Sequence, residues 1–301
     1  MNMNPIFAFA LKTTGEDLEM KHAMKRVIAV VLAAALTLAM SIAASAAAYP
    51  QNSQLKRISD TFLYIQTDIH PLTGTGPVAI SQGTLTESGE TTNIYLVAMH
   101  GLEATAIGYS DDFINCILSG GFETTTPYLN NVKKYMNETI PAGSNVVFIG
   151  HSLGGMTAQQ LAADQEVKDK YNIVYTTCIA SPAICPEQQE GKLNRLVEKS
   201  DAVQYLSKYT FSDMETQKAN RSVEHGKYNI FNAHTHSYED RTVWGDYDAV
   251  GNKGGDAVIT IDDTTTKRFS APLTSAQTGK STIYFAIPYD GNNFFGVAVA
   301  L

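Results

Sequence analysis

The strongest constraint on what this chain folds into is a run of eleven residues. Asn145-Val146-Val147-Phe148-Ile149 leads directly into Gly150-His151-Ser152-Leu153-Gly154-Gly155, and a helix-patterned stretch continues to about Lys170. An apolar run this short, followed at once by glycine and then a helix, predicts a buried strand, a sharp turn and a helix. The turn contains Gly-x-Ser-x-Gly. A turn this tight forces strained backbone angles at its central residue, and flanking glycines remove the Cβ clashes that would forbid it. The hydroxyl of Ser152 is then held at the strand's carboxyl end, where the following helix points its free amides. The Leu153 amide is positioned to stabilise an oxyanion there.

The surrounding pattern repeats the alternation of strand and helix. Asn93–Met99 is almost continuously apolar and ends at His100-Gly101. Residues 111–119 and 127–139 read as helices, the second placing Leu129, Val132, Tyr135 and Met136 on one face. Ile173–Ile179 forms a third strand and Leu196-Val197 a short fourth. Upstream, residues 51–67 pattern as a helix, and Pro77–Leu85 pairs with Thr92–Met99 across Glu87-Ser88-Gly89-Glu90. Strand and helix in alternation imply a parallel sheet with helices on its faces. From Gly254 onward the composition shifts to Asp, Thr and Gly, with β-type runs at Ala257–Ile261, Ser281–Pro288 and Phe294–Leu301. Residues 254–301 therefore read as a β-rich extension.

Asn145–Gly155 resembles the nucleophile segment of the class 3, fungal-lipase-like lipases, and helix 127–139 resembles the helix before it. The resemblance covers roughly residues 92–240. It implies an α/β-hydrolase fold, a mainly parallel sheet with helices on both faces. It also implies a Ser-His-Asp triad that cleaves carboxylic esters, lipid acyl esters in particular, without cofactor or metal. His100-Gly101-Leu102 stands where that family has its oxyanion turn, usually Arg-Gly followed by Thr or Ser. The Leu102 amide becomes the second oxyanion donor, without the extra hydroxyl. Ala180-Ser181-Pro182 matches the family's Gly-Ser-Pro stretch. Ser200-Asp201-Ala202-Val203-Gln204 corresponds to the family's Asn-Asp-x-Val-Pro segment, which makes Asp201 the acid, ahead of Asp246, Asp248 and Asp213. Residues 104–126 lie where the family carries its lid.

A serine needs a histidine base held by a carboxylate, and the base comes last in chain order. His234 and His236 both qualify; His236 is the expected base and His234 the alternative. Two histidines two residues apart could instead share a metal ion if they lay on a strand, but no further ligand cluster accompanies them. His100 and His151 occupy the oxyanion turn and the elbow, and no motif surrounds His70 or His225. Acyl transfer or peptide cleavage on the same scaffold, and non-catalytic surface binding, are the competing functions.

Lys21, Lys25 and Arg26 precede an apolar run from Val27 to about Ala44, and Ala44-Ser45-Ala46 follows. A basic start, an apolar stretch and small residues predict an export signal in residues 1–46, with 47–301 as one catalytic domain. The apolar run is close to the length of a spanning helix, about 18 residues, so an N-terminal membrane anchor is the alternative. Met20 or Met24 would make a natural start. The chain of 301 residues carries a net charge of −8. Cleavage would remove four basic and three acidic side chains, leaving about −9 and disfavouring nucleic acid as a partner. The expected partner is an ester or lipid at a lipid–water interface. Three cysteines, Cys116, Cys178 and Cys185, leave at least one thiol unpaired within the chain, whether or not Cys178 bridges to Cys185.

Overall fold

The structure is a computed structural model describing residues 54–68, 77–101, 127–184, 189–198, 200–201, 203, 230–269, 282–290 and 293–300. The expected signal, the 104–126 segment with its helix 111–119, and Leu102, Cys116, Cys185, His70, His225 and Asp213 lie outside these residues.

In chain order the elements are β1 (Gln54–Leu55), α1 (Ile58–Leu63, prolonged by a π turn Tyr64–Asp68), β2 (Val78–Glu87) and β3 (Glu90–Met99). Next come α2 (Pro127–Thr139), β4 (Asn145–His151), α3 (Leu153–Ala163), α4 (Gln165–Lys170), β5 (Asn172–Ile179) and β6 (Lys192–Leu196). The carboxyl-terminal part contributes α5 (Ile230–Ala233), α6 (Arg241–Trp244), β7 (Val258–Ile261), β8 (Lys267–Phe269), β9 (Thr282–Asp290) and β10 (Asn293–Ala300).

The expected α/β-hydrolase architecture is not what forms. The main sheet runs β1-β7-β2-β3-β4-β5-β6, with β8 also paired to β2. Only β3/β4, β4/β5 and β5/β6 are parallel; β1/β7, β2/β7, β2/β3 and β2/β8 are antiparallel. The sheet is thus mixed and curls into a half-barrel with few helices. Two local causes are visible. The β2–β3 hairpin closes through Ser88 at φ 55° and Gly89 at φ 79°, positive angles that join adjacent strands tightly and antiparallel. Part of the supposed extension then returns to the sheet, since β7 and β8 both pair with β2. A Cβ on Gly83 would lie 2.3 Å from the Thr260 carbonyl oxygen, so the close approach of β7 requires glycine there. Only β9 and β10 remain apart, as a separate antiparallel pair.

Both faces of the sheet are buried, which explains the unbroken apolar runs. Val146 and Phe148 of β4 turn towards α2 and α3, meeting Tyr128, Val132, Met136 and Leu161. Val147 and Ile149 turn the other way, into a cluster with Phe62, Ile65, Tyr238 and Trp244. On the first face lie α2 and α3, of 13 and 11 residues. Among the described residues the second face is covered by helices of six residues or fewer and by turns. Each large apolar side chain buried in this way stabilises the fold by about 1.5–3 kcal/mol.

Candidate active site

The elbow forms where the apolar strand meets the helix. Ser152 joins β4 to α3 with φ 54° and ψ −117°, a conformation that costs a non-glycine residue about 1–3 kcal/mol. Its amide donates to the Ile179 carbonyl at 2.9 Å, and its carbonyl accepts from the Met156 amide at 3.1 Å. The glycines serve close approach. A Cβ on Gly150 would lie 2.3 Å from the carbonyl carbon and oxygen of Gly154, and one on Gly154 would lie 2.3 Å from the Met99 oxygen. Helix α3 is thereby drawn against the ends of β3 and β4. Leu153 is its first residue, so the Leu153 amide lies in the first turn, where helix amides have no intrahelical acceptor.

The end of β3 arrives beside the serine because β3 pairs with β4 through Met99 and Gly150. A Cβ on Gly101 would lie 2.9 Å from the Ser152 Cβ, so the His100-Gly101 turn abuts Ser152. Leu102, expected to supply the second oxyanion donor, is the next residue in sequence and lies outside the described residues.

Opposite the serine stands His234, not His236. His234 Nε2 is 3.0 Å from Ser152 Oγ, and His234 Nδ1 is 3.0 Å from both carboxylate oxygens of Asp201. Ser152, His234 and Asp201 are 5%, 3% and 0% exposed, so these bonds form away from bulk water, where they are strongest. His236, the expected base, is exposed, and its Nδ1 contacts its neighbour's hydroxyl, Thr235 Oγ1, at 2.7 Å. The reason is local conformation. The segment continues α5 as a helical turn, with the His236 amide donating to the Asn232 carbonyl at 2.9 Å. Residues two apart on such a turn point to opposite sides, so only one of the pair faces Ser152. The same geometry removes the shared-metal arrangement. Among the described residues no three His, Cys, Asp or Glu side chains gather to hold a metal ion.

Asp201 is held by two further hydrogen bonds to its carboxylate. Its Oδ1 accepts from the Val203 amide at 2.9 Å, and its Oδ2 accepts from the Tyr238 hydroxyl at 3.2 Å. The Tyr238 oxygen in turn accepts from the Glu198 amide at 2.8 Å. Burial, with the negative charge of Asp201 beside it, pushes the Tyr238 phenol well above its usual range, so it remains a donor to the carboxylate. The rival carboxylates serve elsewhere. Asp246 is exposed, and buried Asp248 accepts from the amides of Val250, Asn252 and Ala257, closing its own loop.

Two contributors escaped the sequence. Tyr238 is one: it lies four residues after His234, on the same side of a helical turn, which was the available signal. His151 is the other. It is buried at 4% exposure, with its Nδ1 2.8 Å from Gln66 Nε2 and its Nε2 3.1 Å from the His234 carbonyl oxygen. Behind the elbow, Gln159 donates to Ser181 Oγ and the Pro182 carbonyl and accepts from the Ile184 amide. This secures the Ala180-Ser181-Pro182 turn, where Ala180 sits at φ 56°. Cys178 is a free, buried thiol in β5, and burial raises its pKa far above the ordinary value; it takes no part in the site.

Comparison with protein-family models, with curated proteins and with solved structures finds no match to this chain.

Proposed function

We propose that this chain is an exported serine hydrolase that cleaves carboxylic esters, lipid acyl esters in particular. One observation carries the proposal: the unbroken line from Ser152 Oγ through His234 to Asp201, each link at 3.0 Å, with the serine held at positive φ. A buried carboxylate on Nδ1 leaves Nε2 free to accept a proton from the hydroxyl, which is what activates a serine. Ser152 Oγ attacks the acyl carbon as its proton passes to His234 Nε2, and the Leu153 amide receives the developing oxyanion. Leu102 is assigned as the second donor. Collapse breaks the ester bond, and the leaving alkoxide takes the proton from Nε2. Water then repeats the sequence on the acyl-enzyme and frees the acid and Ser152.

The lipid preference rests on the likeness of Asn145–Gly155 to the nucleophile segment of class 3 lipases, and export on the pattern of residues 1–46. An ester presented at a lipid–water interface is the proposed partner, with no cofactor and no nucleic acid. The test is turnover of p-nitrophenyl esters of graded chain length by wild type and Ser152→Ala. The variant should lose several orders of magnitude while remaining folded, as loss of a triad nucleophile does elsewhere. Near-normal turnover in the folded variant would overturn the assignment. Acyl transfer to an added alcohol outpacing hydrolysis would make the chain a transferase.

A further inference from the structure

We propose that His151 and Gln66 are positioning residues that hold the main chain of His234 at the distance its imidazole needs to reach Ser152. The proposal rests on the Ser152–His234–Asp201 reading above and adds two residues to it. His151 is the last residue of β4 and shares its face with Val147 and Ile149, so its ring enters the second core cluster rather than the elbow. There its Nε2 lies 3.1 Å from the His234 carbonyl oxygen and its Nδ1 2.8 Å from Gln66 Nε2. The Phe62 ring stands edge-on at 5.2 Å, and the His234 ring is centred 4.8 Å away.

These contacts allow one arrangement of protons. A carbonyl oxygen only accepts, so Nε2 of His151 must carry hydrogen and donate. The neutral ring then leaves Nδ1 as an acceptor, and Gln66 must turn its amide nitrogen, the donor end, towards it. Burial, reinforced by His234 and His100, holds the His151 pKa well below its ordinary value, in keeping with a neutral ring. The consequence is mechanical. His234 lies on a turn after a four-residue helix, a weak support for a base. The His151 bond ties that turn to the residue immediately before the nucleophile. Gln66, on the π turn after α1, fixes the tautomer that can make the bond.

Imidazole nitrogen NMR on the full chain, labelled with 15N-histidine, decides the contact without reference to turnover. The His151 ring is expected as the neutral Nε2–H tautomer, and an Nδ1–H ring would overturn the proposal. Kinetics on a soluble p-nitrophenyl ester decide the role. His151→Leu should lower kcat about tenfold or more, as small displacements of a catalytic group do, with KM little changed. His151→Gln, whose amide nitrogen can stand where Nε2 does, should restore most of kcat. Gln66→Leu should lower kcat alone and add nothing in the His151→Leu background. Unchanged kcat in His151→Leu, no rescue by a folded His151→Gln, or a full additional loss from Gln66→Leu would each overturn the proposal. A wild-type chain that turns over no ester would sink the hydrolase reading instead, while the tautomer spectrum still decides the contact.

Discussion

At the scale of single residues, the pair His234 and His236 provides the sharpest test. The two differ in sequence by two positions but in environment completely: one is buried between Ser152 and Asp201, the other exposed. His234→Ala should therefore remove nearly all ester turnover, whereas His236→Ala should change it less than about twofold, within the effect of ordinary surface substitutions. Steady-state kinetics of the two folded variants would settle it, and comparable losses in both would mean that the base has been misassigned. The residue-level legibility of the site follows the same line. Ser152 was legible because strand, glycine and helix converge on it. Asp201 was legible from its segment, which the structure brings to His234 Nδ1. The histidine that faces Ser152 was not, because choosing between His234 and His236 requires knowing that the segment turns helically, and four residues of α5 leave no periodicity to read. Gln66 lies 85 positions from His151, a separation at which sequence patterns carry no contact information.

At the scale of elements, the packing of α3 against β3 depends on Gly154. A Cβ there would meet backbone, the Met99 carbonyl oxygen at 2.3 Å, which cannot rotate away as a side chain can. Gly154→Ala should force α3 off the strand ends and destabilise the fold by about 1–3 kcal/mol, the usual cost of overpacking. A reduced urea midpoint would register it, and an unchanged midpoint would show that the helix and strands separate freely. The elements themselves were largely legible: β3, β4, β5 and α2 appear close to where their apolar patterns place them. Their arrangement was not. A continuous apolar strand reports burial on both faces but says nothing of the direction of its neighbours. The antiparallel half of the sheet arises from long-range pairing of β2 with β7 and β8, from a stretch whose polar composition reads as an appendage.

At the scale of the whole molecule, the sheet separates two cores, and the polar chain of the site penetrates the second one through His151. A histidine in such a place links folding to pH. Burial, followed by the influence of His234 and His100, lowers the pKa of His151 well below 6.5 in the folded protein. In the unfolded chain the imidazole returns to about 6.5. Above that pH the ring is neutral in both states and costs nothing. As pH falls below it, the unfolded chain takes up a proton that the folded chain refuses, so stability declines with falling pH. The loss grows through the pH range below 6.5 in which the folded chain still refuses the proton. His151→Gln keeps an N–H donor for the His234 carbonyl but cannot titrate. The stability difference between wild type and this variant should therefore shift between pH 7.5 and 5.5, the variant gaining relative to wild type as pH falls. Urea unfolding of both proteins across this range measures the shift directly. A difference that stays constant with pH would mean that His151 protonates as readily in the folded protein as outside it, and that its ring is not sealed within the second core.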